Sequence, residues 1–426
     1  MKFISGFCLN KKPTPSRFFI MFLAFNSVLP VFAQEPPTLV VTMGEAVSMT
    51  LENHPELKSL VLQKRVWDGR IQQSSIGQRP QISFTVEDAL GTGEHSGFNS
   101  MQSTLTFSWL LQQEQIDGRI TNTKIEATQV EIKRQIKALD LSAFTAKQFI
   151  EILVKKERLK LNKRAILQAQ EVVQLTADRA DIGKGSIVEL KLAQTELVRR
   201  ELVEEDLLHE LIADNYQLSS LWGKPEKSLN LSGNLLSVPT IPSVASQLEL
   251  LKQNPLLQKY ASEQRIAQSQ MELARIEAKP QWQFTAGVRR NETTDDFGLV
   301  AGISIPWGDG SRNAGTISAL QAQQEVLASE QNAMMLKLDA QLFVLLQEMA
   351  HSQHVIETIQ AKIIPNLEIA LSEASNAYDK GQLSYSQWSE VRRELLSAQS
   401  RLIDGYQNLH LQHIEIQRLT GQSISQ

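Results

Sequence analysis

Two histidine pairs are the first residues in this chain whose spacing could do chemistry: HSQH, carrying His351 and His354, and HLQH, carrying His410 and His413. An i,i+3 interval sets both imidazoles of a pair on one helix face, and neutral imidazole suits borderline metal cations. If the two segments are antiparallel helices joined at Gly381, His354 lies 27 residues before the turn and His410 lies 29 after it. Both pairs would then sit about 40 Å from the turn, as a histidine belt. Both also fall off the apolar seam of their helices, where residues face solvent. Ordinary exposed histidines are the simpler reading, and no metal site is assigned.

Other catalytic constellations are missing. GTGEHSG at residues 91–97 is glycine-rich but lies between two strand-like runs, as a hairpin loop would. GKGS at residues 183–186 lacks the GxxxxGK[ST] spacing that cradles phosphates. There is no GxSxG and no HExxH. Neither an enzyme nor a cofactor is expected. A strongly basic stripe is also missing, which argues against nucleic acid as a partner.

The elements that would position any site begin after a leader. Lys2, Lys11, Lys12 and Arg17 precede the uncharged run FFIMFLAFNSVLPVFA, Phe18–Ala33. This reads as a secretory signal peptide over residues 1–33. The single cysteine, Cys8, would leave with it, so no disulfide or thiol chemistry remains. Loss of the four basic residues takes the formal charge from −4 to about −8.

The remaining chain is written twice. RPQISFTVEDAL at residues 79–90 is matched by KPQWQFTAGVRR at residues 279–290, and ENHPELKSLVLQKRV at Glu52 by KQNPLLQKYASEQRI at Lys252. STLTFSW, ending at Trp109, is matched by LVAGISIPW, ending at Trp307. Lys184-Gly185 is matched by Lys380-Gly381, and Gly223 by Gly421. The offset drifts from 200 to 196 residues. Duplication decides the architecture: a first repeat over residues 34–235 and a second over 236–426, each ordered helix, strand pair, long helix, helix.

Heptads fill the intervals. Ile125, Ile132, Leu139, Ala146 and Leu153 recur every seven residues, as do Trp388, Leu395, Leu402, Leu409 and Ile416, which predicts helices packed along one another. Arg119–Ala180 and Thr316–Asp379 would each run about 95 Å. Thr42–Gln78, Ser186–Trp222, Val244–Lys279 and Gln382–Thr420 would be about 55 Å each, two laid end to end against one long helix. Pro365 predicts a local kink or break. Gly185 and Gly381 are where the hairpins can turn, since glycine tolerates positive φ.

The short runs alternate. Ile82, Phe84 and Val86 share a face; so do Leu105, Phe107 and Trp109; Trp282, Phe284, Ala286 and Val288; and Leu299, Ala301, Ile303, Ile305 and Trp307. Half-buried strands of a soluble sheet show the same pattern, but such a sheet needs cover and these helices are too long to fold back as cover. Strands with one lipid face and one polar face fit a transmembrane barrel. Four strands cannot close one, and an open edge is excluded in lipid. Three copies would supply twelve strands and one ring of helices, with Trp109 and Trp307 as membrane-interface aromatics. The fold class expected is mainly α with a small β part.

Four passages carry a resemblance over essentially the whole chain after residue 33: VTMGEAVSMTLENHPELK, KPQWQFTAGV through GISIPW, AYDKGQLSYSQWSEVRRELLSAQ and EIQRLTG. In this ordered set the chain resembles the TolC-like outer membrane efflux proteins. IPWGDGSRNAG and YDKGQLS look most like the heavy-metal branch; metal ions, drugs and protein all stay open as cargo. The resemblance implies a homotrimer in outer-membrane lipid with a long periplasmic extension. It also implies a periplasmic adaptor and an inner-membrane pump of the RND type at the lower end. Lys184, Gly185, Ser186, Lys380, Gly381 and Gln382 would then form the adaptor-contacting tips. Family members carry acidic residues after the second tip that narrow the aperture; here the positions are Gln387 and Glu390, one amide and one acid. A type I secretion duct and a periplasmic coiled-coil adaptor are the alternatives. The adaptor would need compact β-rich domains, and the four strands fall in two separated pairs.

Overall fold

The computed structural model describes residues 40–424 apart from residue 309; the leader over residues 1–33 and Cys8 lie outside the described residues. Long helices dominate. The first repeat opens with α1 (Met43–Asn53) and α2 (Pro55–Ser74), passes through β2 (Gln81–Glu87) and β3 (Gln102–Leu111), and continues as α3 (Gln113–Ala127), α4 (Gln129–Asp181) and α5 (Ile187–Ser220). The second runs α6 (Val244–Leu251), α7 (Pro255–Glu277), β5 (Trp282–Asn291), β6 (Asp296–Ser304), α8 (Ala314–Thr358), α9 (Ile364–Asp379) and α10 (Tyr385–Thr420). Two-residue strands β1 (Val40–Val41) and β4 (Asn230–Leu231) pair in parallel. That pairing has no signal in the sequence.

Each opening helix is split where one continuous helix is expected. A proline has no N–H to give and suits only a first turn. Pro55 therefore starts α2, with His54 Nδ1 accepting from the Glu56 N–H at 3.3 Å. Pro255 starts α7, with Asn254 Oδ1 accepting from the Leu256 N–H at 2.7 Å. Thr42 and Glu45 close a capping box on α1.

The long helices meet their expected length. Thr128 keeps helical dihedrals between α3 and α4, so the pair runs about 100 Å at 1.5 Å per residue. Pro365 does not break the second one. A π turn at Ile359–Ile363 precedes it, and the Ile364 N–H reaches back five residues to Ile359 O. The wider turn absorbs the lost donor. α2 packs on α3 and α4, and α5 on α4; α7 packs on α8, and α10 on α4, α8 and α9. The helices bury their seams: Ala146, Leu153, Trp388, Leu395, Leu409 and Ile416 are all buried. The largest core lies midway along the helices, where Phe149, Ile152, Leu342, Met349, Leu409, Ile414 and Leu419 are almost fully enclosed.

Candidate functional site

The sheet forms one end of the functional geometry. Its order is β2-β3-β5-β6, antiparallel throughout, so β3 and β5 stitch the repeats together and β2 and β6 are free edges. The register sets like against like. Ile82 faces Phe107 and Phe84 faces Leu105, which in turn faces Val288. Trp109 faces Phe284, and Phe284 faces Ile303. Strand period two then puts every one of these side chains on the same face. That face is bare: Leu299 is 90 % exposed, Ile82 74 % and Phe84 65 %.

The opposite face is polar. Ser108 and Thr285 hydroxyls hydrogen-bond at 2.9 Å. Arg289 donates to Thr104 Oγ1 at 3.0 Å, Gln102 Oε1 at 3.1 Å and Glu87 Oε2 at 3.1 Å. Where the strands meet the helices, Trp109 stacks on Phe284 with centroids 5.5 Å apart, and Trp282 joins the row at 6.4 Å. Trp307 lies beyond β6 and is fully exposed. Trp109, Phe284 and Trp282 thus form one aromatic row across β3 and β5, brought together by the cross-strand register.

The other end is the pair of helix turns. The expected glycine of the first turn is corrected. Gly183, not Gly185, holds the left-handed conformation, at φ +71°, and its counterpart is Gly381 at φ +73°. The Lys184 and Gly185 N–H groups both donate to Arg179 O at 2.8 Å; those of Gln382 and Leu383 both donate to Ala377 O, at 2.8 and 3.3 Å. The two turns therefore superpose at an offset of 198, the same as Trp109 to Trp307 and Gly223 to Gly421, and Lys-Gly is a misleading landmark. Gly185 is small for another reason. A Cβ there would lie 3.0 Å from Arg179 Cβ and 3.2 Å from the Ala180 nitrogen. Lys184, Ser186, Lys380, Gly381 and Gln382 are exposed, and Gly185 is half-buried.

The turns are tied together. Arg179 donates to Asp379 O and to Lys184 O, each at 3.3 Å, and its guanidinium lies 4.5 Å over the Tyr378 ring. Tyr378 stacks on Trp388 at 4.6 Å and 11°, with Tyr385 edge-on to both. The Tyr378 hydroxyl donates to Glu189 Oε2 at 3.0 Å, joining α9 to α5. Burial first, and the carboxylate second, push the Tyr378 pKa up to about 12. The aromatics of YDKGQLSYSQW, which flank Gly381 on both sides, are the sequence trace of this cluster. At the offset of 198 the first hairpin has Ala180, Ile187 and Leu190 instead.

Glu189 and Gln387 occupy the same position, the third residue of their helices. Gln387 Oε1 closes its own cap on Ser384, accepting from the hydroxyl at 2.8 Å and the N–H at 3.1 Å. Glu189 reaches across to Tyr378 instead. Glu390 is exposed and paired with Arg393. Of the histidines, His351 and His354 are exposed as expected. His410 and His413 are partly buried, which departs from the solvent-facing reading: His410 Nε2 lies 2.8 Å from Leu235 O, in the segment that joins the repeats. Burial lowers the pKa of both. Among the described residues no group of three or more His, Cys, Asp or Glu is arranged to hold a metal ion.

Long packed helices ending in a small sheet with one apolar and one polar face are the architecture on which a comparison with known proteins can be made. The family model for outer membrane efflux proteins matches residues 46–224 and again 248–422; the chain belongs to the outer membrane efflux protein family. A sequence comparison with curated proteins finds no match. Solved structures share the fold. VceC, the outer membrane protein of Vibrio cholerae, is 14 % identical with a TM-score of 0.70, over 90 % of this chain and 96 % of that one. CusC is 16 % identical at 0.70, over 89 % and 92 %. The open state of the MtrE outer membrane channel of Neisseria gonorrhoeae is 13 % identical at 0.68, over 90 % of each. Among the described residues no helix is long and apolar enough to cross a membrane.

Proposed function

We propose that three copies of this chain form an outer-membrane exit duct that passively conducts solutes handed over by an RND-type inner-membrane pump and a periplasmic adaptor. One observation carries the reading: a four-stranded sheet with a bare apolar face, a polar opposite face and two unpaired edges. In lipid the bare face is satisfied, but the edges must be paired. β2 and β6 run in opposite directions, so β6 of one copy can take β2 of the next in the same antiparallel sense, and three copies make twelve strands. Arg289, Glu87, Ser108 and Thr285 would then line a water-filled lumen. MtrE is described as an outer membrane channel, and we carry that role to this chain.

In this reading residues 34–235 and 236–426 are the two repeats, and Trp109, Trp282 and Trp307 sit at the membrane interface. The exposed tips around Lys184, Ser186, Lys380 and Gln382 meet the adaptor, while Gly183 and Gly185 shape the first turn. The aperture charge rests on Glu390 alone, since Gln387 is held in its cap, and Arg393 offsets part of it. Metal ions are the cargo favoured by the resemblance of the YDKGQLS turn. Purified protein in a planar bilayer tests the duct directly. Stepwise ohmic conductance is expected; a preparation that inserts yet never conducts would contradict it.

A further inference from the structure

A cavity of about 230 Å³ opens between the two hairpins, above the tie at the turns, with walls from α4, α5 and α10. Its aliphatic wall includes Ala169, Val172 and Leu192, and its floor is Trp388. Four arginines line it, Arg199, Arg200, Arg392 and Arg393, against one acid, Glu196. Glu196 is already engaged: Arg200 meets it at 2.6 Å and Arg199 at 3.7 Å. Arg393 is held by Glu390.

Arg392 is different. No carboxylate lies within ion-pair distance of it among the described residues, and its guanidinium rests 5.2 Å over the Trp388 ring. Burial is the main influence on it and lowers its pKa. An arginine nonetheless stays charged in a protein; Glu171 and Glu196 attract this one from beyond ion-pair distance, which leaves its guanidinium fork free to take a further carboxylate. The planar guanidinium fork matches a carboxylate with two parallel hydrogen bonds. A cavity of about 150 Å³ takes benzene, so this one has room for a fused aromatic pair, while falling short of the roughly 300–1,000 Å³ of drug-sized sites.

We propose that this cavity binds a small organic anion, a carboxylate carried on a flat apolar group, with the carboxylate on Arg392 and the ring against Trp388 and the aliphatic wall. The proposal rests on the cavity's own residues and not on the transport role. Conductance can fail while this binding holds, and the reverse.

The test is isothermal titration of the detergent-solubilised protein at low ionic strength with 1-naphthoate and with the neutral 1-naphthamide. Saturable naphthoate binding is expected at one per chain, with the amide at least about tenfold weaker, the scale of one charge-assisted contact. Arg392→Gln should weaken naphthoate by about the same factor. Ser389→Glu sets a tethered carboxylate three residues from Arg392 on the same helix face and should abolish binding while the fold is kept. If Arg392→Gln does not fold, the acid–amide comparison and Ser389→Glu decide. Equal binding of acid and amide would mean apolar adsorption and overturn the proposal. So would an absence of naphthoate binding, as when a neighbouring chain fills the cavity, or unchanged binding in Ser389→Glu.

Discussion

Replacing Tyr378 by Phe removes one oxygen and little else. The ring keeps its stack on Trp388 at 4.6 Å and stays under Arg179 at 4.5 Å. What goes is the hydrogen bond to Glu189 at 3.0 Å, the side-chain link that joins the second hairpin to α5. A hydrogen bond to a charged group contributes about 1.5–3 kcal/mol. The lower end applies, because Glu189 is only partly buried and water can replace the donor. If the turns must separate for the lower end to open, each chain's closed state loses about 1.5 kcal/mol relative to its open state. That shifts the opening equilibrium roughly tenfold per chain. Single-channel recording in planar bilayers should then show Tyr378→Phe open for a much larger fraction of the time than the parent. Glu189→Gln, which keeps an acceptor but loses the charge, should fall between them. An intact Tyr378→Phe oligomer that conducts like the parent would refute the idea that this contact holds the turns closed.

Further outcomes follow from the same geometry. Leu299→Arg puts a cation on the bare face of β6 and should destabilise the membrane-inserted form by about 2–4 kcal/mol if it lies at mid-bilayer, read by urea unfolding in liposomes; Ser108→Ala on the polar face should cost far less. Gly183→Ala meets no neighbour within 4 Å and should cost about 1 kcal/mol for its positive φ, whereas Gly185→Ala must move the Arg179 backbone and should cost more, both read by thermal melting. His410 and His413 have pKa values lowered by burial. The unfolded chain therefore takes up protons first as pH falls below about 6.5. Stability is full above that pH and declines as pH drops toward the folded values; melting between pH 7.5 and 5 should show the decline, reduced in His410→Gln.

Much of this architecture is written in local chemistry. Period two in QISFTVE and heptads from Ile125 to Leu153 follow from which faces must be apolar; Ala146 and Leu153 are buried, and Ile125, Ile132 and Leu139 partly so. The helix splits at Pro55 and Pro255 were missed, although a proline that lacks a donor marks a helix start. The repeat was legible, but its alignment at the turns was not. Lys-Gly recurs at 184–185 and 380–381, while the backbone requires a left-handed residue, and that is Gly183. The tie between hairpins was hidden for a different reason. Glu189 and Gln387 are equivalent by position, and only tertiary packing decides that one reaches for Tyr378 while the other closes its own cap. The same holds for His410, whose helix position suggests solvent but which meets the connecting segment at Leu235.

The central claim is that four strands per chain are a fraction of a shared barrel. Light scattering on the detergent-extracted protein after size-exclusion chromatography, corrected for bound detergent, measures this most directly. A mass of three chains that needs detergent to stay in solution is expected. A monomer that remains soluble without detergent would contradict it, because the bare face of β2, β3, β5 and β6 would then have to be covered within a single chain.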